Sequence, residues 1–397
     1  MEFISAIPFF GGFLSTVLPF LVVLGIVVFV HEYGHYIVAR WCGIRSEVFS
    51  VGFGPVLWSR RDKRGTLWQI AALPLGGYVK FLGDSDGSSR ADSKSLQGMS
   101  DSERAQSFHG ASVGRRMLTV LAGPFANLLL TVAVFAGVVS WQGVEKSPPT
   151  IGEIQSFPNS DTTLAVGDVV LQVNGIDVKE FNDILRTAID METAGPMHFR
   201  VQRDGSEIDL ESPYAFPPLV QGVVPLSPAS RAGLREGDVI TSADGEKLVA
   251  FDDLRRVVLA SEGESIPLTV WRNGSETQLE ITPTEQDTSD GDGGFEKRVM
   301  IGVAGASLYS PATETPLPWD ALWLGFQRML DVITESLNGI KHMVIGSLDP
   351  DNLQGPIGIA QISGETASQG FENFVILIGV ISTAIGMLNL FPIPVLD

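Results

Sequence analysis

Three stretches of this chain carry no charged residue: Phe3–Val30, Met117–Val144 and Asn373–Leu396. Each exceeds the roughly 20 apolar residues that a helix needs to cross the hydrocarbon core of a bilayer. Without water to satisfy its amides, a chain can span that core only as a helix or a closed barrel. The long, unalternating runs predict three membrane-crossing helices. A cleaved secretory signal is the competing explanation of the first. It lacks the basic leader and short apolar core of such a signal, and it runs without a break into ionisable side chains.

Charge sets the expected topology. The net charge is −19, and residues 142–318 hold most of the acidity. Residues 39–116 hold basic clusters at Arg60–Arg64 and at Arg115 and Arg116, whereas no Lys or Arg precedes the first run. Basic loops stay in the cytoplasm. The N-terminus and the acidic block are therefore expected outside, in a bacterial periplasm, and the third run returns towards the cytoplasmic half of the membrane. An acidic exposed block argues against a nucleic-acid partner. The lone Cys42 excludes an internal disulfide and argues against a thiolate metal site.

The first run continues into His31-Glu32-Tyr33-Gly34-His35. Residues four apart share a helix face, so both imidazoles can reach one zinc ion, with Glu32 placed to act as general base. Ionisable groups at membrane depth are expensive and are seldom kept without a function. A catalytic zinc needs three protein ligands and one open position. His109, His198 and His342 fall in loop or water-exposed segments. Asp397 is the best third candidate, because it ends the third run after Asn389-Leu390-Phe391-Pro392-Ile393-Pro394-Val395-Leu396 at the same expected depth. Pro392 and Pro394 break the helix there, and broken helix at membrane depth is tolerated only against protein or a cavity.

These motifs together resemble the site-2 protease family of intramembrane zinc metalloproteases, in its bacterial regulator-of-sigma-E protease type. The resemblance covers the chain in order, through Val51–Gly54, Pro74–Lys80, Ala122–Asn127 and Gly355–Ala360. It implies a zinc site of His31, His35 and Asp397 with Glu32 as base, in a multi-pass protein of the bacterial inner membrane whose active site faces the cytoplasmic side. The implied activity is regulated intramembrane proteolysis. Its substrates would be single-span membrane proteins such as anti-sigma factors after a first periplasmic cut, and remnant signal peptides. The family's motif continues with a glycine after Asp397 and a fourth span, so the chain is expected to be a truncated form.

The remaining segments have readable patterns. Residues 46–82 alternate around the polar turn Arg60–Gly65 and are expected to form a β-hairpin or small sheet. The family's counterpart dips into the membrane and holds substrate as an added strand, which nominates Gly52, Phe53 and Gly54 for substrate binding, with Asn389, Pro392 and Pro394. Residues 83–112 read as a mobile Ser/Asp/Gly-rich linker. Residues 145–305 contain a duplication. Gly152, Gly167-Asp168, Gly175, Phe181 and Asp183 recur as Gly222, Gly237-Asp238, Gly245, Phe251 and Asp253, and Val201-x-Arg203-x-Gly205 recurs as Val270-x-Arg272-x-Gly274. Each copy resembles a circularly permuted PDZ domain, over 145–215 and 216–305, either able to capture a peptide by strand addition or acting as a steric filter. Apolar residues spaced by three and four from Trp319 to Val344 predict an amphipathic helix over 316–347, on the outer membrane surface or against the duplicated block. The fold class expected is a helical membrane metalloprotease core (1–40, 117–141 and 371–397) with a re-entrant β-sheet in the 41–116 loop and two tandem α+β PDZ domains. The rival function is a non-catalytic membrane scaffold binding partners through the PDZ pair.

Overall fold

The computed structural model describes residues 11–85, 92, 97–158, 160–289, 294–349 and 355–391. The nominated residues Pro392, Pro394 and Asp397 lie outside them. The chain divides into two compact units. One comprises Met1–Val139, Leu317–Ile340 and Leu353–Asp397, and the other Ser140–Pro316 and Lys341–Asn352.

The first unit opens with α1 (Gly11–Trp41), which carries the His31–His35 motif in unbroken helix. At 1.5 Å per residue it is about 46 Å long, more than the bilayer core requires. Two long strands follow, β1 (Ser46–Arg61) and β2 (Leu67–Phe81), and both bend. Val48 to Val51 lie opposite Lys80 to Gly77 on one side and opposite Leu67 to Ile70 on the other, while Val56 to Arg61 run back along Ala71 to Leu67. Four segments thus lie side by side, in the order 77–81, 46–53, 67–71, 56–61. Of the hairpin or small sheet expected here, the structure has a small folded-over sheet. Gly52 and Gly54 make the bend, at φ +93° and +82°. Tyr36, Phe49 and Trp68 pack ring on ring and fix the sheet to the end of α1.

The Ser/Asp/Gly-rich stretch does not behave as a linker throughout. Residues 100–111 form a capped helix, α2 (Asp101–Gln106), followed by a turn packed on the sheet. Ser100 and Glu103 make the reciprocal capping box. Phe108 stacks on Phe81, and buried Asp84 accepts from the Phe81 N–H and contacts His109. Composition hid these anchors because each depends on one or two side chains.

α3 (Val113–Gln142) leads into the second unit. There β3 (Val144–Glu145), β4 (Ile151–Ile154), β5 (Val169–Val173), β6 (Ile176–Asp177), α4 (Asn182–Ile189), β7 (Met197–Arg203) and β8 (Ser206–Ser212) come first. Next are β9 (Leu219–Val223), α5 (Pro228–Ala232), β10 (Val239–Ala243), β11 (Glu246–Lys247), α6 (Phe251–Ala260), β12 (Ile266–Arg272) and β13 (Ser275–Ile281). They are followed by β14 (Thr284–Ser289), β15 (Phe295–Met300), β16 (Val303–Ala306), β17 (Tyr309–Pro311) and β18 (Thr313–Glu314). The sheets run β6-β5-β7-β8 and β13-β12-β10-β9-β16. Matching positions do matching work. Arg203 grips buried Asp168 through two bonds of 2.7 Å, and Arg272 grips buried Asp238 at 2.6 and 2.7 Å. Burial alone would raise the Asp168 pKa, but the bonds from Arg203 and from the Ala165 N–H outweigh it and hold the carboxyl below its ordinary value. Asp183 and Asp253 each accept two backbone N–H groups at the start of α4 and α6. One connection was not anticipated: β17, from beyond the second copy, pairs with β4 of the first, and Leu308 and Tyr309 join the first copy's core.

The chain then returns through α7 (Pro318–Ile345), α8 (Pro356–Gln369) and α9 (Phe371–Leu388). Helix α7 is amphipathic in an inverted sense. It buries Ala321, Gly325, Met329 and Val332, with Gly325 against α3, and exposes Trp319, Leu322 and Trp323. Small residues inside and large ones outside suit a bilayer, where small residues face neighbouring helices and large ones face lipid. Among the described residues, α1, α3 and α9 are long and apolar enough to cross a membrane. Glycines set their contacts. A Cβ on Gly34 would stand 2.5 Å from the Ala122 carbonyl oxygen, and one on Gly364 would stand 2.8 Å from Thr16 Cα.

Candidate metal centre

The close crossing of α1 and α3 at Gly34 brings the motif histidines against α3. His31 and His35 are buried, at 5% and 8% exposure, and their Nε2 atoms are 3.1 Å apart. Two nitrogens bound to one tetrahedral zinc at 2.0–2.1 Å are about 3.3 Å apart, so the pair already has nearly the required bite. His35 Nδ1–H donates to the Thr119 carbonyl at 2.8 Å. A carbonyl can only accept, so Nδ1 bears the proton and Nε2 keeps its lone pair, as a metal ligand must.

The space in front of the pair is kept by Gly123. A Cβ there would lie 2.2 Å from His35 Nε2 and 2.8 Å from His31 Nε2. This position sits on α3 one residue before Pro124, so any larger side chain would be aimed where both lone pairs converge. A buried two-nitrogen bite with its front held open fits a zinc ion. Among the described residues no group of three His, Cys, Asp or Glu is close enough to hold a metal. A third ligand has to come from elsewhere, and Asp397 lies outside the described residues.

Glu32 is on the adjacent face of α1. Gly77 of the sheet comes so near that a Cβ on it would be 2.9 Å from Glu32 Cγ and from Val28 Cγ1. The 77–81 segment, whose outer edge pairs with no other strand among the described residues, therefore runs past the proposed base. Asn389, at the end of α9, places its amide nitrogen 3.2 Å from His31 Nε2. The structure thus unites Asn389 with the histidines. Gly52, Phe53 and Gly54 shape the sheet's bend, where Phe53 stacks on Tyr78 and fills the space beside Gly76.

Gly77, Gly123 and Asn127 were read from the sequence only as parts of family-like stretches, without a role at the site, and the Thr119 carbonyl was not read at all. Asn127 lies 3.2 Å, amide nitrogen to Nδ1, from His31. An amide in mid-run of a charge-free span was a visible signal. A backbone carbonyl and a missing Cβ leave no such trace.

The chain matches peptidase family M50 over residues 19–397. It is 35% identical over 395 residues to a candidate zinc metalloprotease of Agrobacterium fabrum, covering 97% of this chain and 85% of that one. Another candidate zinc metalloprotease, from Mesorhizobium japonicum, is 34% identical, with 97% and 87% covered. The regulator of sigma-E protease RseP of Escherichia coli is 31% identical over 416 residues, with 97% and 89% covered.

Proposed function

The chain belongs to peptidase family M50 and is a membrane-type zinc metalloprotease, and from that premise we propose that it cuts other proteins within their membrane-spanning segments. In this reading His31 and His35 supply two zinc ligands, Asp397 the third, and Glu32 is the general base. The observation that carries it is the buried pair of Nε2 atoms, 3.1 Å apart, at the crossing of two membrane-length helices. Bound zinc would polarise the scissile carbonyl and acidify the attacking water. Glu32 takes the proton from that water and passes it to the leaving amine. The apolar walls of α1 and α3 keep bulk water from the site.

A helical substrate must unwind before its backbone can be attacked. The free edge of the 77–81 segment, beside Glu32, is suited to pair an unwound strand. The Gly52-Phe53-Gly54 bend sets the position of that edge, and we assign Asn389, Pro392 and Pro394 to substrate binding as well. Substrates of this kind are single-span proteins such as anti-sigma factors after a first outer cut, and remnant signal peptides. The likeness to the sigma-E regulators supports this choice.

The second unit is read as a tandem PDZ pair on the periplasmic side of an inner membrane. The repeated Asp–Arg grips and helix starts support a duplication. We assign it the role of a steric filter that turns away substrates still carrying a bulky outer domain. The test of the site is metal analysis of the purified chain beside His31→Ala, Asp397→Ala and His109→Ala. The expected result is about one zinc in the parent and in His109→Ala, and less than a tenth of that in the other two. Equal zinc in all four would overturn the reading.

A further inference from the structure

Both ring nitrogens of His31 face an amide nitrogen, Nδ1 that of Asn127 at 3.2 Å and Nε2 that of Asn389 at 3.2 Å. A neutral imidazole has one donor and one acceptor, so it cannot accept from both. One amide must be turned, and the side chain itself shows which. Asn127 is fully buried, and its Oδ1 has no hydrogen-bond partner among the described residues. Amide oxygen and nitrogen are interchangeable by a half-turn that leaves the shape of the side chain unchanged. Turning Asn127 gives its orphaned oxygen the His31 Nδ1–H, and leaves Nε2 as the ring's acceptor nitrogen, facing the Asn389 amide.

We propose that Asn127 is the positioning residue of the metal centre, its amide oxygen accepting from His31 Nδ1–H and so holding Nε2 towards the metal. This rests on the zinc reading above and extends it to a residue on a different helix. The two histidines would then be held alike, His35 by the Thr119 carbonyl and His31 by the Asn127 amide, both supplied by α3. The amide is itself held firmly. The Asn127 backbone oxygen accepts from Ser382 Oγ of α9 at 2.9 Å and from Thr131 Oγ1 at 3.1 Å, and Thr383 Oγ1 donates to Thr131 Oγ1 at 3.0 Å. This buried hydroxyl ladder fastens the residue that aims His31 to the helix that carries Asn389.

The experiment measures zinc affinity of the full-length chain in detergent by chelator competition, and the visible spectrum of the cobalt-loaded protein, for the parent, Asn127→Ala and Asn127→Asp. Thermal unfolding of each metal-free form serves as the control. Loss of an outer-shell partner of a metal-bound histidine typically costs about 10–100-fold in affinity. The expected result is a loss of that size in Asn127→Ala with an altered cobalt spectrum. Asn127→Asp, which keeps the acceptor and removes the donor, should stay within about threefold of the parent. Parent-like affinity in Asn127→Ala, or a loss in Asn127→Asp as large as in Asn127→Ala, overturns the proposal while the zinc site stands. If Asn127→Ala does not fold, the aspartate variant decides alone: it retains zinc if the amide oxygen faces His31 and loses it if the amide nitrogen does. A parent that binds no zinc overturns both readings.

Discussion

At the residue scale, the site depends as much on absent atoms as on present ones. His31, Glu32 and His35 were legible because H-E-x-x-H ties chemistry to helical spacing. The absent Cβ of Gly123, between the two Nε2 atoms, could be recognised only once α3 lay against α1. Gly123→Ala should therefore fold and yet lose zinc, to below a tenth of the parent by metal analysis, because alanine suits a helix and its methyl fills the metal's place. Normal zinc in that variant would disprove the placement. Away from the site, Asp84 is pushed up to about 6 by burial, against the opposing pull of the Phe81 N–H and His109. A raised carboxyl is favoured in its protonated form, so its contribution to stability is full below about pH 4 and is lost as pH rises through 6. The unfolding temperature should accordingly fall, beyond the trend set by the other groups, between pH 4 and 6.5. Asp84→Asn should abolish that excess.

At the scale of elements, the sheet and the helices were read with different success. Uniform apolar runs announce membrane helices because every residue in them obeys one solvent. The sheet's four-segment path was hidden, since β1 and β2 pair with each other twice, in two registers, and only Gly52 and Gly54 mark the bend of β1. Gly77→Val is expected to press the 77–81 segment away from Glu32, lowering cleavage of a membrane substrate at least tenfold with zinc content unchanged. Replacing Gly52 and Gly54 together by alanine should act in the same direction, as both need a positive φ. Unaltered turnover in both would dissociate the sheet from catalysis. In the second unit, Arg272→Met leaves Asp238 charged and buried without its partner. Breaking a buried pair from one side costs about 3–5 kcal/mol, which a large drop in the unfolding temperature of that unit would register.

At the scale of the whole molecule, the order of domains along the chain is not the order in which strands assemble. The recurring spacing of Gly-Asp turns was visible in the sequence, but the return of Tyr309–Pro311 to β4 was not, because three residues carry no periodic signal. Removal of the second unit should therefore span residues 144–314, since a cut at 305 would leave β17 and β18 without β4 and β3. If that unit is a filter, its clean removal lets substrates with intact outer domains be cut. Continued rejection of them would argue for a spacer or a peptide receptor. The central claim remains that Glu32 performs base chemistry at a zinc held by His31 and His35 within the membrane. Its most direct test is Glu32→Gln, assayed for zinc content and for cleavage of a single-span substrate in detergent or lipid. The account predicts parent-like zinc and cleavage reduced at least a thousandfold, whereas surviving cleavage would contradict it.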